Sequence, residues 1–151
     1  WALMYEQPQK VLNQCQRLLK NGGYLYILVN DQQTLPQIRK IYPKLLIEYV
    51  DSINKLMFDL PMPNNAQQLE RWAKKAGLKN CRVTSKKQEF YFTDWNRAAK
   101  FVTSTGALAG YDAMLDLKNE KIFNTLVEQL QKFFTKPCIT HHFVMGIFKK
   151  G

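Results

Sequence analysis

The chain has 151 residues, 46% of them hydrophobic, and carries a formal charge of +10 from 22 Lys and Arg against 12 Asp and Glu. That is long enough for one domain with its own core and too apolar for a disordered chain. There is no apolar run near the roughly 20 residues of a membrane helix and no basic segment leading into an apolar stretch as in a signal peptide, while Cys15, Cys81 and Cys138 are too scattered for a disulfide framework or a zinc site.

The cysteine pattern suits reduced thiols in a cytoplasmic protein without a membrane anchor. The chain opens on Trp1 and reads as a cut through the middle of a fold. Its basic residues read as spread out, with short pairs at Lys74-Lys75, Lys86-Lys87 and Lys149-Lys150 and no long stripe. A charge of +10 would suit nucleic acid, but that scatter weighs against it.

In chain order, Pro8 to Lys20 is predicted to be a helix, with Val11, Leu12, Cys15, Leu18 and Leu19 on one face. Pro8 suits a first turn, and Asn21-Gly22-Gly23 ends the helix. Tyr24 to Val29 is a short, nearly continuous apolar run, the pattern of a strand covered on both faces. Gln33 to about Phe58 is predicted helical with a break near Pro43, followed by a loop at Leu60-Pro-Met-Pro63. Asn64 or Asn65 then caps a helix that buries Leu69, Trp72, Ala73 and Ala76 and stops at Gly77.

Cys81 to Phe92 reads as extended. Thr93 or Asp94 caps a helix through Val102 that ends at Thr105-Gly106, and Ala107 to Leu115 forms a short further turn. Asn119 to Phe134 is an amphipathic helix with Ile122, Phe123, Leu126, Val127, Leu130, Phe133 and Phe134 inward. Ile139 to Phe148 is a strand, apolar on both sides, and so belongs inside a sheet. Three strands with at least two buried on both faces make a poor sheet alone. More strands are therefore expected to pair with Tyr24 to Val29, from upstream or from a partner.

The words Arg17-Leu18-Leu19-Lys20-Asn21-Gly22-Gly23-Tyr24-Leu25 resemble the R-x-L-K-P-G-G-x-L segment of class I S-adenosylmethionine-dependent methyltransferases, with Asn21 at the usual Pro. Ala2-Leu3-Met4-Tyr5 is similar to the A-L-H-W or A-L-H-Y after that family's fourth strand, with Met4 in place of His. Trp72 to Leu78 resembles the L-x-x-x-A-G-F helix end, where only Ala76-Gly77 match outright. Phe92-Thr-Asp-Trp95, Ala99 to Gly106 and the closing Phe143 to Lys150 resemble a subgroup that includes the trans-aconitate, juvenile hormone acid and malonyl-carrier-protein methyltransferases. Those enzymes esterify carboxylates.

This resemblance implies an α/β fold, the C-terminal part of a Rossmann-like seven-stranded sheet with about three strands here and a helical substrate cap. Its last strand is antiparallel and inserted between the fifth and sixth. Residues 1-30 would hold a helix and the fifth strand, 31-63 a helical insertion, and 64-151 the sixth and seventh strands with cap helices. The donor, S-adenosylmethionine, would be bound mainly by an N-terminal half that the sequence lacks, since no GxGxxG occurs in it. The implied reaction is methyl transfer to a small acid, which needs alignment and exclusion of water but no general base.

Substrate contacts implied by the resemblance are Tyr5, Trp95, Arg97 and Tyr111, each weighed against ordinary packing or a solvated helix face. Tyr91 is a weaker candidate. His141 and His142 alternate in direction along a strand, so they cannot chelate one ion together. Asp31 lies at a site-prone strand end but suits a turn. Two rival readings remain. One is a catalytically inactive methyltransferase-like partner subunit, as a homodimer or paired through an exposed sheet edge. The other is a basic nucleic-acid-binding module.

Overall fold

The computed structural model describes residues 3, 6–54, 61–106, 108 and 110–151. Its elements in chain order are α1 (Pro8–Leu18), β1 (Tyr24–Asn30), α2 (Pro36–Glu48), α3 (Ala66–Lys75), β2 (Leu78–Tyr91), α4 (Trp95–Ser104), α5 (Tyr111–Met114), α6 (Glu120–Phe133) and β3 (Cys138–Lys150). They fall into two compact units. The first is Trp1–Thr34, Leu60–Lys87 and His141–Gly151, and the second is Leu35–Asp59 and Gln88–Thr140.

The first unit is built on a three-stranded sheet in the order β1-β3-β2. β3 runs antiparallel to β1 in a register from Tyr24↔Lys149 to Asn30↔Phe143. The two apolar faces of β3 thus place it in the middle, as its sequence required. α1 packs with α3. Leu69 of α3 lies over Gly146, where an added Cβ would meet its Cδ2 at 3.3 Å and would also strike the Phe148 ring. The face of Ile27, Gly146 and Phe148 is therefore the covered one.

The other face is open. Tyr24, Tyr26 and Leu28 are 50%, 72% and 47% exposed and Met145 is 46% exposed. The expectation that β1 is covered on both sides does not hold from Tyr24 to Leu28 among the described residues, whereas Asn30, at the end of the same face, is fully buried. Leu18 is a second correction. It is exposed, and α1 buries only Leu12 fully, because the helix ends at Leu18 as the chain turns toward β1. At the turn Gly22 has a φ of +77°, which favours glycine, and a Cβ on Gly23 would sit 2.8 Å from the Lys20 carbonyl oxygen.

The second unit is a helical cluster in which α6 packs against both α2 and α4. Its caps follow the sequence. Asp94 Oδ1 accepts from the Arg97 N–H at 2.8 Å, and Asn119 Oδ1 accepts from the Lys121 N–H at 3.1 Å. In the first unit Asn65 caps α3 in the same way through the Gln68 N–H. The break expected near Pro43 is absent, since α2 runs through it. Ile38, Ile41, Tyr42 and Leu45 are all buried on the inner side of that helix. Their packing outweighs the one backbone hydrogen bond a proline removes. α2 ends at Glu48, a 3-10 turn follows at Val50–Ser52, and the rest of the predicted helix lies outside the described residues.

Candidate functional site

The first unit gathers its buried polar groups where β1 ends. Asn30 closes the strand with no exposed surface, and neither its Nδ2 nor its Oδ1 has a hydrogen-bond partner. A buried amide left in that state costs about 1–3 kcal/mol. The next residues form a tight turn. The Asp31 N–H donates to the His142 carbonyl at 3.1 Å, and Asp31 Oδ1 accepts from the Gln33 N–H at 2.8 Å. Thr34 Oγ1 accepts from the His142 N–H at 3.2 Å. Asp31 is thus a turn residue whose carboxylate is already engaged.

Asn30 is paired with Phe143, so the two side chains share a sheet face. Alternation along β3 puts His141 on that same face, diagonal to Asn30. His141 is 7% exposed, and burial pushes its imidazole below the usual histidine range. It is neutral at pH 7. Leu28 and Phe143 supply apolar neighbours on the face. The unpartnered Asn30 carboxamide in such surroundings suits an uncharged hydrogen-bonding group of a ligand, and the neutral imidazole beside it provides no cation.

The residues singled out by sequence are dispersed. Tyr5 lies outside the described residues. Trp95 is 5% exposed, and its Nε1 donates to the Phe134 carbonyl at 3.1 Å. Its indole is occupied in the core of the second unit. Arg97, two residues on, points to solvent with its side chain 73% exposed and its Nε 3.9 Å from Asp94 Oδ2. Tyr111 is half-buried against the Tyr42 ring at a centroid distance of 4.7 Å, and the Tyr42 hydroxyl donates to its carbonyl. Burial raises the Tyr111 phenol above the ordinary tyrosine value, and the Arg39 guanidinium opposes that. Tyr91 is exposed, and its hydroxyl donates to Glu89 at 2.6 Å.

Asn30 and Arg39 were not among the sequence candidates. For Asn30 one signal existed, a polar residue closing an otherwise apolar strand. A cleft of about 460 Å³ is lined by Gln7, Pro8, Gln9, Asn13, Trp72 and Lys75, so Lys75 is the one ionisable side chain among the lining residues.

A nucleotide-type cofactor needs a glycine-rich strand-to-helix turn or an equivalent cradle. The connection from β1 to α2 contains no glycine, and of the glycines at positive φ, Gly22 lies in the turn before β1 while Gly77, Gly106 and Gly110 adjoin helix ends. The described residues therefore do not fit an adenosyl donor by themselves.

The fold defines a mixed α/β protein whose central strand is the last in the chain. No family model and no curated protein matches the sequence. Among solved structures the chain is similar to one titled "putative sarcosine dimethylglycine methyltransferase" from Galdieria sulphuraria, with 14% identity and a TM-score of 0.44 over 99% of this chain and 50% of that one. The chain spans half the length of that protein. No helix among the described residues is long and apolar enough to cross a membrane.

Proposed function

We propose that the chain is the C-terminal half of a cytoplasmic class I S-adenosylmethionine-dependent methyltransferase that methylates a small molecule, with a carboxylate as the acceptor group. The observation that carries this reading is the strand order β1-β3-β2 with β3 antiparallel to β1. It is the arrangement implied by the resemblance of the Arg17 to Leu25 words, in which the last strand enters between the fifth and sixth. The open face of Tyr24, Tyr26, Leu28 and Met145 also supports it, because an upstream half would cover that face.

In this reading the donor belongs to residues upstream, and this chain supplies substrate contacts and keeps water out. Arg97 and Tyr111 are the proposed contacts for an acidic group, with Arg39 beside Tyr111 as a further cation, and Tyr5 is proposed for the pocket wall. Trp95 holds the second unit together rather than touching substrate. Asn30 is proposed to face an uncharged part of a ligand.

Calorimetric titration of S-adenosylhomocysteine tests the reading, using this chain and a polypeptide extended upstream by about 100 residues, the order of a half-domain. Binding to the extended polypeptide alone is expected. Binding to neither would sink the enzyme reading.

A second reading, a catalytically inactive partner subunit, is favoured by the same open face and by the edge of β1 that has no described strand beside it. A strictly monomeric chain by light scattering would count against it.

A further inference from the structure

The charge of +10 is not evenly placed. The first unit holds twelve Lys and Arg against three Asp and Glu, and the second holds ten against nine. Almost the whole excess therefore belongs to one unit. Within it, residues 71–88 contain seven cations and no acid. Read along the sequence they look like scattered pairs. In the fold they lie on one helix and the strand that follows it.

The hydrogen bond from Asn80 Nδ2 to Glu70 Oε1, 2.8 Å long, fixes which side of β2 faces α3. Alternation then puts Arg82 and Lys86 on that same side as Asn80. α3 buries Leu69 and Ala73 and leaves Arg71, Lys74 and Lys75 exposed. Arg82 and Lys86 are exposed as well. Arg71, Lys74, Arg82 and Lys86 thus share the side marked by the Glu70–Asn80 contact, whereas Lys75 lines the cleft beside α1. At about 1.5 Å per helical residue and about 3.3 Å per strand residue, the strip runs roughly 6 Å from Glu70 to Lys74 and roughly 20 Å from Asn80 to Lys86.

We propose that this strip is a docking surface for the phosphodiester backbone of a nucleic acid, read without sequence preference. An extended row of cations matches a linear polyanion better than a compact acidic patch. Asn80 and Thr84, on the same side, add the neutral donors that commonly accompany Lys and Arg at phosphates. No large apolar side chain among residues 66–88 stands exposed, so the strip has no wedge for a lipid layer. It also has no exposed aromatic on which bases could stack, so the contacts it offers are to the backbone. The rival explanation is that lysines on an edge strand merely prevent sheet-to-sheet aggregation. The proposal stands whether or not the chain takes part in methyl transfer.

The test is fluorescence anisotropy with a labelled mixed-sequence 20-nucleotide DNA, single-stranded and duplex, at 50 mM and 200 mM salt. The variant Lys74→Gln/Arg82→Gln/Lys86→Gln is compared with Lys100→Gln/Lys118→Gln/Lys132→Gln, which removes the same charge from the second unit. Binding that weakens steeply with salt is expected. The first variant should bind at least tenfold more weakly at 50 mM salt, with the slope of log K against log salt shallower by about three. The second should keep the wild-type slope within about one unit. Equal losses in both would reduce the effect to net charge and overturn the proposal. So would no binding at 50 mM, tighter binding to vesicles containing 30% phosphatidylserine or to polyglutamate, or a first variant that aggregates while still binding DNA.

Discussion

Asn30 is the residue whose environment is least explained by stability. Its amide is buried and unpartnered, so an apolar side chain of similar volume should fit better. Asn30→Leu is expected to raise the free energy of unfolding by about 1–2 kcal/mol in urea titration. A loss of stability would mean that the amide is bonded to an internal water and has a structural role. His141 gives a pH signature of known sign. Its folded pKa is depressed by burial, so the unfolded chain binds the extra proton first. Its contribution is intact above the unfolded value of about 6.5 and is lost as pH falls from there toward the folded value. Denaturation midpoints at pH 7.5 and 5.5 should fall more for wild type than for His141→Gln. Both side chains could be seen in the sequence, but not their burial. Asn30 follows an apolar strand as a turn residue would, and only its complete burial in the fold shows that it is enclosed.

At the scale of elements, β3 carries the sheet. Gly146 lies where the Phe148 ring and Leu69 close in on the backbone, so the position has no room for a methyl group. Gly146→Ala is expected to lower stability by about 1–3 kcal/mol through overpacking, read as a shift in the urea midpoint. Helix caps were legible because their chemistry is local. A side-chain oxygen two or three residues ahead of an N–H needs no distant partner, and Asn65, Asp94 and Asn119 all do as their types suggest. The run through Pro43 was not legible. It depends on how tightly Ile38, Ile41 and Leu45 pack against other helices, which a local rule about proline does not contain.

At the scale of the whole molecule, the open face of the first unit separates the proposals. Tyr26→Ser and Met145→Ser remove exposed apolar surface, so in this chain each should change stability by less than about 0.5 kcal/mol. In a polypeptide extended upstream by about 100 residues, the same changes should destabilise by about 1–3 kcal/mol if added structure covers the face. Equal small effects in both would leave the face uncovered and count against the half-enzyme reading.

The sequence by itself determined the elements, their caps and the interior place of the last strand, because periodicity, capping and two apolar faces are properties of a few neighbouring residues. Only the tertiary structure decided three other things. It left the face of β1 open from Tyr24 to Leu28, buried Asn30 without a partner, and gathered Arg71, Lys74, Arg82 and Lys86 on one side of a unit that holds nearly all the excess charge. Each of these depends on which distant segments meet, and a pattern along a single chain does not encode where its neighbours in space come from.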